Sequence, residues 1–140
     1  MAADLKTLIR LHEWKVDERR RILGKHLKTL QALENNLVKL EDELKSEQAA
    51  ALASPTEGGM YYGAYADRVV ERRAQINEFM RQTNEQIGAA RSMLNKAYRE
   101  LKKFEIADDV RQKKAVAEEA RKEQIMLDDL GVQGFMSKKR

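Results

Sequence analysis

The 140-residue chain contains no cysteine. Disulfides, thiol nucleophiles and thiolate metal sites are therefore excluded by composition. Proline occurs once, at Pro55, and three of the seven glycines (Gly58, Gly59, Gly63) follow it closely. His12 and His26 are the only imidazoles, and aromatic residues make up 6% of the chain. No apolar run approaches the roughly 20 residues that a membrane-spanning helix requires. The first residues include Asp4 and Lys6, so they lack the apolar core of a secretory signal. A soluble, cytoplasmic, non-enzymatic chain without metal or cofactor is the expectation from these shortages.

Ala, Leu, Glu, Lys and Arg fill more than half of the sequence. That composition points to long helices when the right period accompanies it. Charged residues are 36% and hydrophobic residues 42%, too apolar a mixture for a disordered charged tail. The net charge of +4 is spread along the chain, a weak signal for nucleic acid or an anionic surface.

The period is present. Stepping by four and three from Leu5 gives a series that includes Ile9, Val16, Leu23, Leu30, Leu37, Leu44 and Ala51 at seven-residue spacing. His12, Arg19, His26, Leu33, Leu40 and Glu47 interleave with them. After Pro55 the same stepping runs from Ala66 through Val69, Arg73, Ile76, Met80, Thr83, Ile87, Ala90, Leu94, Ala97 and Leu101 to Phe104. Near Asp108 the register slips, and Ile106, Val110, Lys113, Ala117, Ala120, Gln124 and Leu127 form a new series. A seven-residue repeat this long is the mark of a coiled coil.

The expected fold is all-α: a long antiparallel two-helix coiled-coil hairpin with a single-helix C-terminal extension. Its parts are a helix over about 3–52, a loop over 53–62, a helix over 63–130 and a basic tail over 131–140, in one domain. A turn centred near residue 58 brings Leu44 near residues 71–73, Leu30 near Gln86 and Ile87, and His12 near Phe104. The second helix then overruns the first, leaving Val116 to Leu130 without a partner in the chain. Such an overhang should fray or bind something.

Candidate sites are few. His12 and His26 are two heptads apart, roughly 21 Å along a helix, and cannot share a metal; they read as polar interruptions of the seam. Asp108–Asp109 and Asp128–Asp129 are adjacent pairs whose side chains diverge by about 100°, unlike a general acid and base. The glycine-rich break lacks the lysine and hydroxyl of a phosphate-binding loop, and no strand precedes it. Tyr61, Tyr62 and Tyr65 either cap the end of the hairpin or form an aromatic tip for a partner. Arg19, Arg20 and Arg21 suit an anionic or acidic partner better than nucleic acid, because Glu13, Asp17 and Glu18 dilute them. Trp14, with Leu11 beside it, points away from the seam. A local kink, a dimer or a partner would have to cover it.

The stretch Leu8-Ile-Arg-Leu-His-Glu-Trp-Lys-Val-Asp-Glu-Arg-Arg-Arg21 resembles the N-terminus of the bacterial flagellar export protein family FliJ, particularly its alphaproteobacterial forms. The length, the single Pro/Gly break, the tyrosines after it and the charged second helix agree in outline. The resemblance implies a stalk similar to the central subunit of rotary ATPases. It also implies assistance to the export ATPase FliI, a link to the export gate protein FlhA, and handling of export chaperones. The chain would be cytoplasmic and reach the membrane only through the gate. On that resemblance, Leu40, Tyr61, Tyr62 and Tyr65 are the gate-binding candidates. Glu43 and Glu47 stand where other members carry tyrosines. Arg10, Trp14, Arg19, Arg20, Arg21, Arg111 and Arg121 are the candidates for contact with the ATPase ring. The rival readings are a generic coiled-coil scaffold and a prefoldin-like chaperone, the latter requiring strands at the base of the hairpin.

Overall fold

In a computed structural model of the chain, the backbone is described for residues 2–139 and side chains for residues 4–54 and 61–136. Two long helices account for it: α1 spans Ala2–Ala53 and α2 spans Pro55–Lys139. No strand occurs among the described residues. The composition explains the helices, since Ala, Leu, Glu, Lys and Arg carry the smallest cost per residue of entering one.

The break is shorter than the glycine content suggests. In place of a loop over 53–62, only Ser54 lies outside a helix. Its N–H donates to the Ala50 carbonyl at 3.2 Å and so completes the last turn of α1. The sequence Ser54-Pro-Thr-Glu57 follows the Ser-x-x-Glu pattern that starts helices, and proline is well tolerated at the first helical position, where its missing N–H is not needed. Pro55 thus begins α2 where a loop was expected. The basic tail expected over 131–140 is also helical as far as Lys139. Gly131 and Gly134 do not end α2, because neither takes the positive φ that a glycine cap uses.

The chain divides into two compact units, residues 16–96 and residues 1–15 with 97–140. Within residues 16–96, α1 and α2 pack antiparallel: Gln48 meets Tyr62 and Glu41 meets Arg73. Val16, Val69, Ile76, Ile87 and Ala90 form the buried core. Leu23, Leu30, Leu33, Leu37, Leu40 and Leu44 are half-buried along the facing side of α1. Thr83 is buried as well, and its hydroxyl is satisfied by donating to the Phe79 carbonyl at 2.8 Å. Two helices leave open flanks, so none of the large described side chains is completely enclosed.

Within the other unit, Leu5, Ile9 and His12 of α1 and Ala97, Leu101 and Phe104 of α2 are half-buried. His12 stacks on Phe104 with ring centroids 4.6 Å apart and planes at 26°. This is the pairing expected from the hairpin register. Among the described residues of α2, Asp108 is the last that is half-buried; every residue from Asp109 to Met136 is exposed. The series Ile106, Val110, Lys113, Ala117, Ala120, Gln124 and Leu127 is therefore exposed at every position, while the earlier series is half-buried through Phe104 to Asp108.

Burial at Ile76 predicts a large effect of truncation. Ile76→Ala should cost about 2–3 kcal/mol, the low end for a buried isoleucine because the seam is only two helices wide. Val38→Ala, at a 60% exposed position, should change stability by less than about 0.5 kcal/mol. Urea unfolding followed by helical circular dichroism checks both; equal effects would overturn the register.

Candidate functional site: surface grooves and exposed ends

The gate-binding candidates lie in the 16–96 unit. Leu40 and Tyr65 come together in a shallow groove of about 300 Å³, completed by Glu43, Arg68, Val69 and Arg72. A second groove, of about 190 Å³, shares Leu40, Glu43 and Arg72 and adds Asn36, Lys39 and Ile76. Leu40 and Val69 belong to the two seam series, so the floor is the edge of the seam and the charged residues are its banks. Tyr62 is half-buried, and its hydroxyl oxygen accepts from the Gln48 side-chain amide at 2.8 Å. Tyr61 is 80% exposed. The three tyrosines thus have three environments: Tyr62 ties the helices, Tyr65 lines a groove and Tyr61 faces solvent. Arg73, a charged residue within the apolar series, is held by Glu41 at 2.7 Å.

The phenol of Tyr65 is pushed above its ordinary pKa of 10.0, first by desolvation and then by the Glu43 and Glu47 carboxylates, with Arg68 opposing. A negative phenolate is disfavoured where solvent is reduced and carboxylates are near.

The ring-contact candidates fall in both units. Arg10, Trp14, Arg111 and Arg121 belong to the unit of residues 1–15 and 97–140, and Arg19, Arg20 and Arg21 to the unit of residues 16–96. Trp14 is 60% exposed, with Leu11 exposed one turn before it, so no bend within the chain buries the indole. Arg121 pairs with Glu118 at 2.8 Å on the exposed part of α2, where Arg111 is also exposed. Arg20 and Arg21 reach Asp17 at 3.8 Å and Glu18 at 3.3 Å. These pairs are solvent-exposed and contribute little to stability, so a partner can displace them cheaply. Arg19 differs: it is half-buried and lines a groove of about 230 Å³ with Ile22, His26, Gln86, Ala89, Ala90 and Met93.

His26 is therefore a groove residue and His12 a stacking residue; they do not converge. Among the described residues no group of three or more His, Cys, Asp or Glu side chains could hold a metal ion. No helix among them is long and apolar enough to cross a membrane. The sequence reading did not single out Arg68, Arg72 or Met93. For Arg72 and Met93 the sequence carries a signal: Tyr65, Arg72, Phe79, Gln86 and Met93 recur every seven residues beside the buried series.

The Tyr65 environment gives a titration prediction. Its phenol should ionise above pH 10, and Glu43→Gln should bring the midpoint down while leaving it raised, because desolvation is the larger cause. Ring-carbon chemical shifts followed against pH measure this; an unchanged midpoint in Glu43→Gln would remove Glu43 from the account.

Comparison with known proteins adds one finding. Among curated proteins and solved structures nothing matches the chain significantly. The profile of the family described as the flagellar FliJ protein matches residues 1–140. With two long helices packed together and a family match over its whole length, the chain belongs to the flagellar FliJ protein family.

Proposed function

We propose that the chain is a non-catalytic stalk and coupling component of the flagellar type III protein export apparatus. In this reading it is one coiled-coil hairpin with a single-helix C-terminal extension. It promotes assembly and activity of the export ATPase FliI, and links that ATPase to the export gate protein FlhA and to export chaperones. It works in the cytoplasm and meets the membrane only through the gate. ATP chemistry belongs to the partner. The chain acts by binding one conformation of the ring better than another, which is the only way a ligand can shift an equilibrium.

The observation that carries this reading, beside family membership, is the exposed run of α2 from Asp109 to Met136. Val116, Ile125, Met126, Leu127 and Leu130 are 49–70% exposed along it. A helix of this length, roughly 40 Å, gains most of its stability from packing an apolar face. Here that face is left for a partner. Arg111 and Arg121 on the same run, with Arg10 and Trp14 on α1, are the proposed ring contacts, together with Arg19, Arg20 and Arg21. The groove at Leu40 and Tyr65, with Tyr61 and Tyr62 near it, is the proposed gate contact.

The test is ATP hydrolysis by the purified cognate export ATPase across a range of concentrations of this protein. Saturable stimulation, lost on truncation after Asp109, is the expected result. No stimulation under conditions where the ATPase forms rings would favour a generic scaffold. A companion variant, Trp14→Ala, should keep its thermal stability within about 0.5 kcal/mol, as exposed positions do, and weaken ATPase binding. A large fall in melting temperature would instead make Trp14 a packing residue.

A further inference from the structure

The three grooves of the 16–96 unit lie on one flank of its helix pair. In a heptad repeat, residues seven apart share a side of the helix. Ile22, Asn36 and Glu43, which line the grooves from α1, differ by multiples of seven. So do Tyr65, Arg72, Gln86 and Met93 from α2. Phe79 falls in the same row, midway between Arg72 and Gln86, and is 51% exposed; Met93 is 40% exposed.

The two flanks are built differently. Glu41 and Gln48, themselves seven apart, tie α1 to α2 through Arg73 at 2.7 Å and Tyr62 at 2.8 Å. None of these four residues lines the three grooves described above. The grooved flank has apolar side chains at intervals along its length: Ile22, Tyr65, Phe79 and Met93. It is also basic, since Arg19, Lys39, Arg68 and Arg72 line the grooves against a single acidic residue, Glu43. Arg19, Lys39 and Arg68 take part in no ion pair among the described residues, and Arg72 bonds only the neutral Gln75 side chain, at 3.3 Å.

We propose that this flank docks a third helix, supplied by a partner, whose apolar stripe is bordered by carboxylates. Its apolar residues lie over Ile22, Phe79 and Met93, and its carboxylates face Arg19, Lys39, Arg68 and Arg72. A helix suits the site because the groove repeats every seven residues, the period that interlocks helix with helix. An acidic helix suits it because basic banks without an ion-pair partner among the described residues favour opposite charge and reject like charge. The site overlaps the proposed gate contact at Leu40 and Tyr65 but extends well beyond it, and it does not depend on which protein provides the helix.

The test uses the full chain and two synthetic four-heptad peptides, each roughly 42 Å long when helical. Both carry leucine at the seam positions; one has glutamate at the flanking positions and the other lysine. Binding is read by fluorescence anisotropy at neutral pH and moderate salt. The glutamate peptide should bind at least about tenfold more tightly than the lysine peptide, a difference set by charge complementarity. Arg68→Glu/Arg72→Glu should remove that preference. Phe79→Glu/Met93→Glu should weaken the glutamate peptide by about tenfold or more, the scale of losing a central apolar contact. Val70→Glu, an exposed position off the grooved row, should leave binding unchanged, and thermal melts establish that every variant remains folded. Equal binding of the two peptides, or equal loss in Val70→Glu, would overturn the proposal. So would a dimer of the chain by itself that Phe79→Glu/Met93→Glu dissociates, because the groove would then belong to a second copy. None of these readouts involves the ATPase, so they fail or succeed separately from the stalk reading.

Discussion

Within residues 16–96, a strip of side chains repeating every seven residues between α1 and α2 holds the helices together. The buried residues of that unit, Val16, Val69, Ile76, Thr83, Ile87 and Ala90, all lie on it. Val69, Ile76, Ile87 and Ala90 supply its best-packed stretch from α2. A strip of this kind must also absorb polar residues that interrupt it, and each interruption has a local solution. Arg73 has Glu41, Thr83 has the Phe79 carbonyl and His12 has the face of Phe104. Without these partners, each would carry the cost of a polar group removed from water.

The grooves described between the two helices are shallow and open to solvent. The chain's chemistry therefore lies in flanks and ends. In the proposed coupling role, many partial surfaces spread over a long contact would discriminate between conformations of larger partners. Along residues 16–96, one flank carries the Glu41–Arg73 and Gln48–Tyr62 bonds, and the other carries apolar side chains and basic groups with no ion pair among the described residues.

The exposed run of α2 obeys a different rule. Its apolar residues do not continue the seam, since the row through Leu101 and Phe104 ends at Asp108. The stripe that begins at Ile106 starts before that row has finished. In the proposed function this run is a second interface on the same helix, and its residues, mostly good helix formers, favour the helix they occupy.

The sequence by itself determined the secondary structure and the seam. Every residue of the stepped series from Leu5 to Ala51, Glu47 excepted, is at least half-buried, and so is every residue from Ala66 to Phe104. This follows because helix periodicity is local: 3.6 residues per turn fixes which side chains share a face before any partner is known. The sequence also contained the helix-starting pattern at Ser54-Pro-Thr-Glu57, but three nearby glycines read more strongly as a loop. Their cost of about 1 kcal/mol each is small enough to be carried within a helix. The tertiary structure alone decided which flank is tied and which is grooved. It also decided that Tyr61, Tyr62 and Tyr65, close neighbours in sequence, have three different environments. Those outcomes depend on side chains from both helices meeting at one level, and a cross-helix distance is not encoded in the period of either helix alone.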